Sequence, residues 1–318
     1  MLVGRLSRSV PLLSKALTQC RCPCHSNYQA VSPTMSVARN YSDNRSVSLS
    51  YGVHEPKRLT DSSYHPVLVL HGVYGSRKNW ESLAKRMALE LSRPIVTIDA
   101  RNHGQSSHSA IMNYEAMVND ILSLLELDLM TDRCDLVGHS MGGRTAMALA
   151  LSHPEVLNKL VVVDVTHKAV ETGRDTVSYI QIMKDAKLDH AASLSQAKKD
   201  LNVQLQPEIP DTGVRNFLLT NLIQENGHLR WRVNLDAIGD NMEHLKRLHI
   251  PPGACYTGDT LFIGGSNSIY LRPEDYPELR NLFPNASFES IEGAGHWVHS
   301  EKPVEFLQTI LPFLKDSS

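Results

Sequence analysis

Gly138-His139-Ser140-Met141-Gly142 sets a serine between two glycines, directly after the strand-like run Cys134 to Val137 and directly before the helix-like run Gly143 to Ala150. A strand turning this tightly into a helix forces the middle residue into a strained backbone, and small residues two places either side relieve the crowding. The Ser140 hydroxyl then stands clear of the sheet, at a helix N-terminus whose amides favour developing negative charge. That is where a nucleophile attacking a carbonyl carbon belongs. It needs a base, and His296 in Gly293-Ala294-Gly295-His296-Trp297 follows a strand-like run, Ser287 to Ile291. Flanked by small residues, such a histidine can approach a serine and act as general base, then general acid. The oxyanion needs two N–H donors, one from the residue after the nucleophile and one from the loop after an earlier strand. Met141 and Val73 fit those places, Val73 within His71-Gly72-Val73-Tyr74-Gly75 after the apolar run Pro66 to Leu70. Only their backbone is used, so their side chains are free to vary.

Strand and helix signals alternate along the chain, which argues for a mostly parallel sheet with helices on both faces. Its 318 residues suffice for one such core and a cap. From about 166 to 230 the rhythm changes to helical patterns with no convincing strand. These are Val177 to Met183, Ala191 to Leu205 and Val214 to Gln224, with Pro207 and Pro210 between the last two. No internal repeat or low-complexity tract is present.

Several segments, in order, resemble the α/β-hydrolase family. They are His71 to Ser76, Asp99-Ala100-Arg101-Asn102-His103-Gly104-Gln105-Ser106, the serine turn, Trp231 to Leu235, Phe262 to Ser268, and Gly293 to His299. The resemblance runs from about Ser46 to the C-terminus and is strongest to a mitochondrial group with bacterial esterase relatives. It implies an α/β-hydrolase fold over 42–318, with a helical lid at about 166–235 inserted after the sixth strand. It also implies a Ser-His-Asp triad working through an acyl-enzyme, with no metal and no organic cofactor. In most of the family the acid follows the next-to-last strand, here Thr260 to Ile263. The turn there, Gly264-Gly265-Ser266-Asn267-Ser268, holds no carboxylate. Asp164, ending the run Leu160 to Val163, is the preferred acid, with Ser268 a polar substitute at the vacated position. Asp236, where the insertion returns to the core, is the alternative acid and otherwise a plausible helix cap.

The first 42 residues hold Arg5, Arg8, Lys15, Arg21 and Arg39 but no Asp or Glu, and they are rich in serine. This is the composition of a mitochondrial transit peptide, read here as 1–41 with cleavage before Ser42 and delivery to the matrix. Losing those five cations leaves 27 basic against 34 acidic residues, a net charge of about −7 with no footprint for nucleic acid. No apolar run reaches the length of a transmembrane segment. Cys20, Cys22, Cys24 and His25 fall within the leader and are not read as a metal site. Cys134 and Cys255 are expected as free thiols, Cys134 in the core. His103 is expected on a loop at the carboxyl end of the sheet and His299 on an exposed turn, neither with a chemical role.

The expectation is therefore a mitochondrial serine hydrolase that cleaves carboxylic, lipid acyl esters, with diacylglycerol among the substrates the resemblance suggests. The resemblance also suggests an association with a matrix 2-oxoacid dehydrogenase complex. A thioesterase or protein deacylase would use the same triad. An acyltransferase is disfavoured because His296 to Glu301 lacks the His-x4-Asp signature. A binding protein on a hydrolase fold would be expected to have lost Ser140 or His296.

Overall fold

Valine, leucine and isoleucine fill the strands of a seven-stranded sheet in the computed structural model, which describes residues 46–56, 65–170, 176–188 and 193–315. The expected leader and its cysteine cluster lie outside the described residues. In chain order the strands are β1 (Tyr51–His54), β2 (Val67–Leu70), β3 (Ile95–Ile98), β4 (Cys134–His139), β5 (Leu157–Val163), β6 (Leu222–Glu225), β7 (His228–Trp231), β8 (Asp259–Gly265) and β9 (Ala286–Ile291). The helices are α1 (Glu81–Leu91), α2 (Tyr114–Ser123), α3 (Met141–Ser152), α4 (Thr176–Asp185), α5 (Leu194–Leu205), α6 (Thr212–Leu219), α7 (Leu235–Asp240), α8 (Met242–Lys246), α9 (Tyr276–Leu282), α10 (Val298–Glu301) and α11 (Pro303–Leu314).

The large sheet runs β1-β3-β2-β4-β5-β8-β9, parallel throughout except for β1, which pairs antiparallel with β3. Successive strand residues point to opposite faces, and both faces are buried, so the central strands are apolar throughout. Leu68, Leu136, Val162 and Phe262 meet α2, α3 and α9 on one face. Val69, Val137, Val161 and Leu261 meet α1 and α11 on the other. Parallel pairing puts the carboxyl ends of β2, β4, β5, β8 and β9 along one edge. His71–Gly75, Ser140, Asp164, Ser268 and His296 all follow those ends, the usual location of a site in an open α/β sheet.

Between β5 and β8 the chain makes the expected insertion, with two corrections. It follows the fifth strand among the described residues, where a sixth was expected. It also contains a hairpin, β6 paired antiparallel with β7, where only helices were expected. The helical pattern of Val214 to Gln224 stops at Leu219. Asn226 and Gly227, with φ 50 and 83, make the two-residue turn that joins the strands. That Asn-Gly pair was the available signal, masked by apolar residues at helical spacing before it. The α7 cap is Asn234, which accepts the Ala237 N–H at 3.1 Å, so Asp236 is not the cap.

Candidate active site

Ser140 has φ 55 and ψ −115, and its N–H donates to Val163 O at 3.1 Å. The crowding expected at this turn is physical. A Cβ on Gly138 would stand 2.2 Å from Gly142 O, and one on Gly142 would stand 2.6 Å from Leu70 O. The turn delivers the hydroxyl to His296, whose Nε2 accepts from Ser140 Oγ at 3.2 Å. On the other side of the ring, Nδ1–H donates to Asp164 Oδ2 at 2.7 Å. That pairing assigns the tautomer: the proton sits on Nδ1 and the lone pair of Nε2 faces the serine.

Asp164 is fully buried at the end of β5, with φ 51 and its N–H bonded to Ile263 O. Gly265 N–H donates to its Oδ1 at 3.0 Å and Ser268 Oγ to its Oδ2 at 2.5 Å. With His296, three donors satisfy a carboxylate that has no solvent. Ser268 thus fills the acid-free turn as a donor. Ser266 does not; its Oγ accepts from Gly293 N–H. Asp236 is not brought to the site. Its side chain is 83% exposed and pairs with Lys184.

Three further histidines, none given a role from sequence, support this arrangement. His139 Nε2–H donates to the backbone carbonyl of His296 at 2.9 Å, joining the Ser140 turn to the His296 loop across 157 residues. The His139 ring lies 4.6 Å from that of His299, which stacks on Trp80 at 4.1 Å and 3°. His299 is buried at 4% exposure, which corrects the expected exposed turn. His103 does lie on the loop after β3, but it is buried and accepts the Tyr74 N–H at 3.1 Å. Tyr270 covers the remaining face of His296, ring to ring at 4.0 Å.

Burial pushes the His299 imidazole down to about 3 and holds that of His139 well below its ordinary value. His299 therefore stays neutral in the folded protein while its unfolded counterpart protonates near 6.5. Stability from this group is complete above that value and is lost as pH falls from about 6.5 towards 3. His299→Phe keeps the stack on Trp80 and removes the titration. Urea melts at pH 6.5 and 4.5 should show its stability falling less steeply than the wild type, by about 1.4 kcal/mol per pH unit. Equal slopes would contradict the assignment.

Ser140, His296, Val73 and Met141 line one cavity of about 370 Å³, walled on the insertion side by Val214, Phe217, Leu218, Met242 and Leu245. Met141 opens α3, so its N–H has no partner within the helix. A hydroxyl beside an imidazole oriented by a buried carboxylate, in an apolar cavity with free amides, can attack a carbonyl and lose its proton in one step. Among the described residues no group of three or more His, Cys, Asp or Glu is placed to hold a metal ion. No helix among them is long and apolar enough to cross a membrane.

Residues 67–309 match the model of the alpha/beta hydrolase family, and the chain belongs to that family. Within it, the chain is a hydrolase of the carboxylesterase and lipase type. It is 41% identical over 270 residues to "sn-1-specific diacylglycerol lipase ABHD11" of Danio rerio, covering 85% of this chain and 83% of the relative. It is 31% identical to "Esterase YbfF" of Escherichia coli, covering 79% and 93%. A solved structure, "Marine microorganism esterase", superposes with a TM-score of 0.77 at 31% identity, covering 85% of this chain and all of that one.

Proposed function

We propose that this chain is a mitochondrial serine hydrolase that cleaves lipid acyl esters, acylglycerols among them, through Ser140, His296 and Asp164. The observation that carries it is the continuous relay from Asp164 Oδ2 through His296 to Ser140 Oγ, with contacts of 2.7 and 3.2 Å. Ser140 Oγ adds to the ester carbonyl as its proton passes to His296 Nε2. The N–H groups of Val73 and Met141 donate to the oxyanion. His296 then returns the proton to the leaving alcohol, and an acyl-Ser140 ester remains. Water, deprotonated by the same histidine, releases the carboxylic acid and restores the serine. Asp164 holds the imidazole in the required tautomer throughout.

The apolar wall formed by the insertion suits an acyl chain, and the names of the relatives favour a glycerolipid ester. A panel of monoacylglycerol, diacylglycerol, ethyl ester and thioester with one common acyl group tests this reading. Glycerol esters should be turned over faster than the thioester. A thioester preferred by more than about tenfold would replace the reading with a thioesterase. The location rests on the basic, acid-free leader, and the mitochondrial form should begin at or near Ser42. Protein from mitochondria that retains Met1 on N-terminal sequencing would refute it.

A further inference from the structure

Val73 donates to the oxyanion in the proposed mechanism, and the residue after it anchors the loop that holds that N–H in place. Tyr74 has φ 62, a left-handed conformation that a bulky residue keeps only where its surroundings hold it there. Both of its backbone polar groups are held. Its N–H donates to His103 Nε2 at 3.1 Å, and its carbonyl accepts from Asn221 Nδ2 at 2.7 Å. His103 is fixed as the acceptor because its Nδ1–H donates to Arg101 O at 2.9 Å. Burial pushes its imidazole down to about 3, so Nε2 keeps its lone pair at neutral pH.

Asn221 belongs to the insertion, between α6 and β6, 147 residues from Tyr74. Its side chain is buried, and its carbonyl accepts the Arg232 N–H at 2.8 Å, which ties the two sides of the hairpin together. A second pair of bonds lies beside it. Asn234 N–H donates to Asn102 O at 3.0 Å and Asn234 Nδ2 to Asn102 Oδ1 at 3.1 Å, next to His103. The insertion therefore grips both the loop that carries Val73 and the loop that carries the acceptor for Tyr74. Without the bond to Asn221, Tyr74 can relax towards the right-handed region, which turns the Val73–Tyr74 peptide and, through the φ and ψ of Val73, displaces the preceding Gly72–Val73 peptide that carries the Val73 N–H.

We propose that Asn221 is a positioning residue for the oxyanion hole, so that the inserted segment sets the geometry of the reacting centre as well as walling the cavity. The proposal rests on the reading of this site as a serine hydrolase with Val73 as a donor. An asparagine amide is the fitting group, because it supplies an N–H to the Tyr74 carbonyl from a buried position that water does not serve. Aspartate of the same shape would offer that carbonyl a second acceptor.

Asn221→Leu and Asn221→Asp should be compared with the wild type in ester turnover and in binding of an alkyl trifluoromethyl ketone. Addition of Ser140 Oγ to that ketone creates an oxyanion in the hole. Turnover should fall about 10- to 100-fold, short of the roughly 10²–10³ for outright loss of a donor, with KM nearly unchanged. The ketone's inhibition constant should rise by the same factor, which a smaller folded fraction would not produce. If Asn221→Leu does not fold, Asn221→Asp, which changes one heavy atom, carries the test. Turnover and inhibition constant both within twofold of the wild type would overturn the proposal, as would a loss of turnover with the inhibition constant unchanged. Ser140→Ala measured alongside separates the two readings. If it abolishes turnover while Asn221 variants do not impair it, only the positioning role fails.

Discussion

Ser140→Ala is expected to lower ester turnover by about 10⁶-fold, because in the proposed mechanism nucleophile, base and acid act as a unit and what survives is binding and oxyanion stabilisation. The fold should be indifferent. Alanine keeps the Cβ, so the strain at φ 55 is unchanged, and the lost contact is a single hydrogen bond of 3.2 Å at a cavity wall. A loss of about 1 kcal/mol or less corresponds to a melting temperature within about 2–4 °C of the wild type. Scanning calorimetry beside a steady-state assay checks both halves. A folded variant with undiminished turnover would remove Ser140 from the mechanism.

Asp164→Asn is the second large effect, about 10⁴-fold in kcat, with Asp236→Asn within about twofold. The asymmetry follows from the donors around the two groups. Asp164 accepts from His296 Nδ1–H, Gly265 N–H and Ser268 Oγ–H. An amide in its place must turn an NH2 towards one of them. Turned to His296, it forces the imidazole into the other tautomer, which presents an N–H to Ser140 and cannot take its proton. Turned to Gly265, it sets its own N–H against the Gly265 N–H at a site with no water. Asp236 loses only an exposed pairing with Lys184, worth about 0–1 kcal/mol. The reverse ranking, in variants with matching melting curves, would move the acid to Asp236.

The two aspartates also mark where the sequence stopped being legible. Ser140 stands out because a glycine-flanked turn between apolar strand and helix signals is a local pattern, readable from consecutive residues. The sheet is legible for the same reason, since strands buried on both faces read as unbroken apolar runs. The carboxylate that pairs with His296 is not local. Asp164 and Asp236 both fall between Ser140 and His296 in the chain, and only the pairing of β5 with β8 brings Asp164 under the Gly264–Ser268 turn. His139, His299 and Asn221 were unreadable in the same sense. Their partners are distant in the chain or belong to separate elements, and nothing in their neighbours signals burial. His299 sits among Val298, Ser300 and Glu301, a mixed stretch that reads as a surface turn, and becomes buried when it stacks on Trp80. The hairpin of β6 and β7 differs from these, because its Asn-Gly turn was plain in the sequence and lost to a competing helical period.

Mapping a covalent adduct tests the central claim most directly. The wild-type protein should be treated with an alkyl fluorophosphonate until ester turnover is partly lost, then digested and sequenced by mass spectrometry. The phosphonyl group should reside on Ser140 and on no other serine, with the fraction modified equal to the fraction of turnover lost at every time point. Complete modification of Ser140 with turnover retained, or complete loss of turnover with Ser140 unmodified, would contradict the assignment of this serine as the nucleophile.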